Sequence, residues 1–121
     1  MRVLVVEDTV GNSVDVVLDL VEAGYEVLRC QPLGGEVVPC FGLSGDGTCP
    51  LHEPADAVVQ VHDRADPLTL RELGVLCGGR AKLPIINVGH SRSTIATRWT
   101  TPEQLLDDLA SIADPRPPRF R

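Results

Sequence analysis

The sequence predicts an α/β fold: a single, doubly wound parallel sheet with helices on both faces. Three observations carry this expectation. Short runs rich in Val and Ile recur at residues 3–6, 57–61 and 84–88, as expected of strands buried on both faces. Segments with apolar residues at helical spacing follow them, and such strand–helix alternation makes right-handed crossovers and a parallel sheet. The 121 residues suffice for one domain with a core of its own.

The first strand covers residues 3–6 and ends at Glu7 and Asp8. Thr9 stands where it can cap the next helix, in which Val10, Val14, Val17, Leu18 and Val21 form one apolar stripe. Gly24 stops that helix, and residues 25–30 read as the second strand. The third strand, 57–61, is entered from Pro54. Leu70, Leu73, Leu76 and Cys77 then recur at helical intervals, which assigns Cys77 to the core as a small hydrophobe, and Gly78-Gly79 ends the helix. The fourth strand, 84–88, runs into Gly89-His90, and a short fifth strand is expected at 95–98. Thr101-Pro102-Glu103-Gln104 forms a capping box with Pro at the first helical position, and Leu105, Leu106, Leu109 and Ile112 supply the buried face of the last helix. The domain thus spans 1–113, followed by an extended Pro- and Arg-rich tail, 114–121.

A chain this short fits the flavodoxin-like strand order 2-1-3-4-5, whose sites lie beyond the carboxyl ends of the strands. The residues just past those ends are Glu7, Asp8, Cys30, His62, Asp63, Gly89, His90 and Ser91, so the polar chemistry is expected on one rim.

One segment breaks the pattern. Residues 31–54 stand where a crossover helix belongs, yet the stretch 30–52 holds five glycines and three prolines and no helical period. It also carries Cys30, Cys40, Cys49 and His52. The spacing Cys49-Pro-Leu-His52 suits two ligands on one ion, and a Cys3His set is a common structural zinc site. Zinc is therefore the leading metal, ahead of an iron–sulfur cluster, although paired CxxC knuckles are missing. A disulfide among the three cysteines and free thiols are the alternatives.

A formal net charge of -6 argues against nucleic acid as a partner, because phosphate neutralisation needs clustered Lys and Arg. No apolar run has the length of a signal peptide or a membrane span, so a cytoplasmic protein with no membrane partner is expected. Reduced thiols follow from that compartment.

Over almost its whole length the chain resembles the receiver domain of bacterial response regulators. The resemblance rests on Val-Leu-Val-Val-Glu-Asp at 3–8, Ala-Asp-Ala-Val-Val-Gln-Val at 55–61, Leu-Pro-Ile-Ile-Asn-Val at 83–88 and Arg-Trp-Thr-Thr-Pro-Glu-Gln-Leu-Leu at 98–106. It implies a remnant acidic site at Glu7 and Asp8, the pair on which receivers hold Mg²⁺, with Asp63 nearby. It also implies that Val61 stands at the position of the phosphoacceptor aspartate, Gly89 at that of the Thr or Ser ending strand 4, and Arg98 at that of the strand 5 lysine. Valine cannot attack phosphorus. Asp63, two residues on, is displaced by roughly 6–7 Å along the chain. Mg²⁺ is accordingly less expected than zinc, because the third carboxylate is missing.

His62, His90, Asp63, Ser91 and Arg98 complete the rim. No nucleophile elbow, P-loop or GxGxxG pattern accompanies them, and the glycine-rich 42–47 opens no helix. A non-enzymatic pseudo-receiver is therefore expected, acting through a protein partner or self-association without aspartyl phosphorylation. A small metal- or thiol-responsive protein using Cys30, Cys40, Cys49 and His52 is the other reading.

Overall fold

The computed structural model describes residues 1–9, 11–29, 55–64, 72–93 and 95–113, of which 73, 74 and 113 by their backbone alone. The expectations placed on 31–54, on its cysteines and His52, and on 114–121 lie outside these residues. The elements are β1 (Arg2–Glu7), α1 (Val14–Glu22), β2 (Glu26–Arg29), β3 (Ala57–Val61), α2 (Leu73–Arg80), β4 (Ile85–Val88), β5 (Arg98–Thr100) and α3 (Leu105–Ala113). All strand pairings are parallel, in the order β2-β1-β3-β4-β5. This is the expected doubly wound sheet.

Strand alternation divides the core in two. Val3, Val5, Ala57, Val59, Val61, Ile86 and Val88 face α1 and α3, against Val16, Leu20, Leu105 and Leu109. Leu4, Val6, Val58 and Ile85 face the other side, against Val75 of α2 and Ala96. The register Val5↔Val59 and Glu7↔Val61 brings the ends of the two central strands level and sets the rim.

Two of the helices depart from their expected faces, whereas α3 buries Leu105 and Leu109 and packs Leu106 and Ile112 against the core as expected. In α1 the buried residues are Val16 and Leu20, while Val14, Leu18 (56% exposed) and Val21 lie on the surface. Six apolar residues in 14–21 cover too wide an arc for periodicity to choose between stripes 14/18/21 and 16/20. The choice is made by Ser13, whose buried side chain is held by Glu7. The helix therefore starts after Ser13 and not after Thr9. Among the described side chains of α2 the buried positions are Val75 and Gly78, and Cys77 is exposed, so its assignment to the core is corrected. Gly78 does not stop the helix but lets it lie flush on the sheet. A Cβ there would stand 2.5 Å from Val58 Cγ2, so the apolar Leu76 and Cys77 turn outward. The helix runs to Arg80 and is followed by Lys82 at φ 59°.

Strand β5 begins where the expected 95–98 strand was to end. Thr97 explains the shift: its hydroxyl accepts from the Ile85 N–H (2.9 Å) and donates to the Ile85 carbonyl (3.0 Å). A side chain thus takes up part of the hydrogen bonding of a ladder, which proper starts at Arg98 opposite Ile86. The last helix likewise starts at Leu105, with 102–104 forming turns ahead of it.

Candidate functional site

The adjacent acids at the end of β1 point to opposite faces, as consecutive strand residues must. Glu7 turns toward α1. One of its carboxylate oxygens accepts from the Ser13 hydroxyl (2.6 Å) and the Ser13 N–H (3.2 Å). The other receives Arg29 Nη2 at 3.2 Å, while Arg29 Nη1 donates to Ser13 Oγ. Glu7 therefore fastens the start of α1 to the end of β2. This is the use of a carboxylate expected beside a helix N-terminus.

Asp8 turns the other way and is fully enclosed. Its Oδ2 accepts from the backbone N–H groups of Asp63 (2.8 Å) and Arg64 (2.6 Å), and its Oδ1 accepts from Asn12 Nδ2 (2.7 Å). These bonds clamp the turn that leaves β3. Asn12 Nδ2 also reaches Asp63 Oδ2 at 3.0 Å, and Asp63 Oδ1 accepts the His90 N–H at 2.8 Å. The Ser91 hydroxyl donates to the Asp63 carbonyl (3.2 Å), and the Ser91 N–H to the His62 carbonyl (3.1 Å).

Gly89 makes this closure possible. It sits at φ +132°, and a Cβ there would lie 2.6 Å from both Asp63 Oδ1 and the His62 carbonyl oxygen. Only glycine allows the chain after β4 to come so near the turn after β3.

His62 follows β3 on the same face as Asp8 and is almost fully buried. Its Nδ1 lies 2.6 Å from Glu72 Oε2 and 3.6 Å from Asp8 Oδ2. Since an ionised carboxylate only accepts, Nδ1 carries the proton in the shorter contact. Gln60, two residues back on β3, donates through Nε2 to the same Glu72 oxygen at 2.6 Å. Its Oε1 is buried and has no hydrogen-bond partner among the described residues. Asp8, His62 and Glu72 thus form a buried cluster whose donor atoms lie within 4.8 Å of one another.

Among solved structures the chain is similar to the Vibrio cholerae chemotaxis protein CheY4, with a TM-score of 0.55 and 21% identity, covering 92% of this chain and 97% of that one. The fold is receiver-like. No protein-family model and no curated protein matches the sequence.

Set in this receiver-like fold, Asp8, His62, Asp63, His90 and Ser91 converge at the carboxyl ends of β1, β3 and β4. Glu7 sits at the same level but on the opposite face. Arg98 lies elsewhere: it is exposed, and its register with Ile86 leaves Thr100, not Arg98, level with Val88 at the rim. Cys30, Cys40, Cys49 and His52 are outside the described residues.

Sequence reasoning missed Asn12, Arg29, Gln60, Glu72 and Asn87. Gln60 and Asn87 each left a signal, as single amides in otherwise apolar buried strands, where a polar group must find a partner. Asn87 finds two: its Nδ2 donates to the Ser91 carbonyl (3.0 Å), and its Oδ1 accepts the Ser93 N–H (2.7 Å). The amide so shapes the loop that presents His90 and Ser91. Farther along, Trp99 Nε1 donates to the Ser93 carbonyl, and Arg92 lies over the indole 5.6 Å from its centre. Among the described residues no helix is long and apolar enough to cross a membrane.

Proposed function

We propose that this chain is a pseudo-receiver: a non-enzymatic signalling module that acts by binding a protein, another polypeptide or a second copy of itself, without aspartyl phosphorylation. The observation that carries this reading is Val61. The resemblance of residues 55–61 to the third strand of receivers implies that Val61 stands at the acceptor position, and in support its side chain is only 3% exposed, in the core cluster with Val88 and Leu105. A hydrocarbon offers no nucleophile for phosphoryl transfer.

The carboxylates nearby are poor substitutes. Asp8 is buried and already accepts three hydrogen bonds, and both oxygens of Asp63 are engaged, by the His90 N–H and Asn12 Nδ2. An attacking carboxylate must give up such bonds, each worth roughly 1.5–3 kcal/mol where a charge is involved. The acidic balance of -6 supports a protein partner over nucleic acid.

The test is treatment with acetyl phosphate, and separately with beryllofluoride, in the presence of Mg²⁺. The intact mass and the emission of Trp99, which packs beside Arg92 near the rim loop, should both stay unchanged. A stable phosphoaspartate at Asp63 or elsewhere on the rim overturns the proposal.

A further inference from the structure

We propose that Asp8, His62 and Glu72 form a binding site for a first-row divalent transition-metal ion, Zn²⁺ in preference, where β1, β3 and the start of α2 meet. This goes beyond the pseudo-receiver reading and stands on different residues. It is also a different site from the Glu7–Asp8 pair expected from the sequence, since Glu7 faces the other side of the sheet and is engaged with Ser13 and Arg29.

The first support is geometric. One oxygen from each carboxylate and one imidazole nitrogen lie within 4.8 Å of one another, all on buried residues. Donors held about 2.0–2.2 Å from a tetrahedral ion stand roughly 3.4 Å apart. The 3.6 Å between His62 Nδ1 and Asp8 Oδ2 already fits, and the 2.6 Å contact between Nδ1 and Glu72 Oε2 has only to open by about 1 Å. The ion then takes the Nδ1 lone pair, and the neutral ring keeps its one proton on Nε2.

Electrostatics point the same way. Two carboxylates gather around one imidazole in the interior, and a dication offsets the repulsion between them. The imidazole donor selects a transition metal over Mg²⁺, which keeps to oxygen ligands.

The independent observation is Gln60. It is fully buried on the same strand face as His62, and its carbonyl Oε1 has no hydrogen-bond partner among the described residues. Yet its amide is already tied into the cluster through Nε2 and Glu72. A half-turn of that amide exchanges Nε2 for Oε1 and supplies a fourth donor to the ion. Asn12 and the N–H groups of Asp63 and Arg64 hold the Asp8 carboxylate in place, as supports behind a metal ligand commonly do.

The test is titration of the metal-free full chain with Co²⁺ and Zn²⁺, using wild type, His62→Gln, Glu72→Gln and a triple variant with Cys30, Cys40 and Cys49 changed to Ser. One Co²⁺ per chain should bind with the visible d–d bands of a four-coordinate ion and no thiolate charge-transfer band, and the triple variant should behave likewise. His62→Gln and Glu72→Gln should each lose more than about 100-fold in affinity, and Gln60→Leu about 10-fold. Circular dichroism of each metal-free variant checks that it folds. Absence of binding by wild type at millimolar Co²⁺ and Zn²⁺ overturns the proposal. So does binding that persists in folded His62→Gln, or binding abolished in the triple cysteine variant. Should both single variants fail to fold, the wild-type Co²⁺ spectrum still decides, because thiolate bands would place the ion on cysteines.

Discussion

Glu7 and Asp8 are neighbours in sequence and unlike in use. On the α1 face, Glu7 meets a guanidinium and a hydroxyl, and its cluster is a small closed fastener. On the α2 face, Asp8 lies by an imidazole and a second carboxylate, with an amide oxygen left over. The strand alternates its side chains, so one position of register decides which of two chemistries an acid joins. The first cluster secures the fold. The second is closed toward the backbone of the β3 turn, and the amide that joins it through Nε2 keeps a buried oxygen without a hydrogen-bond partner among the described residues, which serves structure poorly and leaves a donor for an ion.

The largest effect expected from breaking this contrast is on the Glu7 side. Arg29→Met removes the cation facing a carboxylate whose side chain is 5% exposed. Breaking a buried pair from one end costs about 3–5 kcal/mol because the remaining charge is left uncompensated. The lower end is expected, since Ser13 still donates twice to Glu7. Urea denaturation should show that loss, and adding Glu7→Gln should recover at least half of it. A loss of under about 1 kcal/mol would mean that the pair is no fastener.

The rim tests the other side. Gly89→Ala forces a side chain into a conformation at φ +132° and sets its Cβ 2.6 Å from a backbone carbonyl oxygen and from Asp63 Oδ1. Strain of this kind costs about 1–3 kcal/mol. Part of it can be relieved if Asp63 swings away from His90, so local opening is expected along with lost stability. Amide exchange at His90 and Ser91 should rise well before the core unfolds. Unchanged protection there would show that Asp63 does not hold this loop.

The fold was legible because its signals are redundant. Four strands, the glycine stop at Gly24 and a capping box all demanded the same sheet, and errors of a few residues at the end of α2, at β5 or at α3 could not alter it. The face of α3 was legible too, but the faces of α1 and α2 were not, and the reason is physical. In α1 the apolar arc is wider than the core needs, so Ser13 and Glu7 decide the rotation. In α2 the stripe of Leu76 and Cys77 loses to the fit of Gly78 against Val58, which places the 46%-exposed Leu76 and the thiol outside. The site was half legible: Asp8, His62, Asp63, His90 and Ser91 follow from strand ends alone. Glu72 joins them only through the packing of α2, and no local pattern announces that.

The smallest expected effect sharpens the comparison most. Gln60→Leu keeps the bulk of a fully buried residue while removing both ends of its amide. The loss is one hydrogen bond to the Glu72 carboxylate, worth roughly 1.5–3 kcal/mol. The gain is relief from a buried acceptor without a partner, which costs about 1–3 kcal/mol when left unmade. The two nearly cancel, and Leu extends the apolar strand beside Val58. In chelator-treated protein the variant should therefore match wild type within about 1 kcal/mol by urea denaturation, far from the loss expected for Arg29→Met. With saturating Zn²⁺ the two proteins should separate, wild type gaining more because only it retains the amide carbonyl. A loss of more than about 2 kcal/mol without metal would show that Gln60 serves the fold as Arg29 does, and the contrast between the two faces would fall.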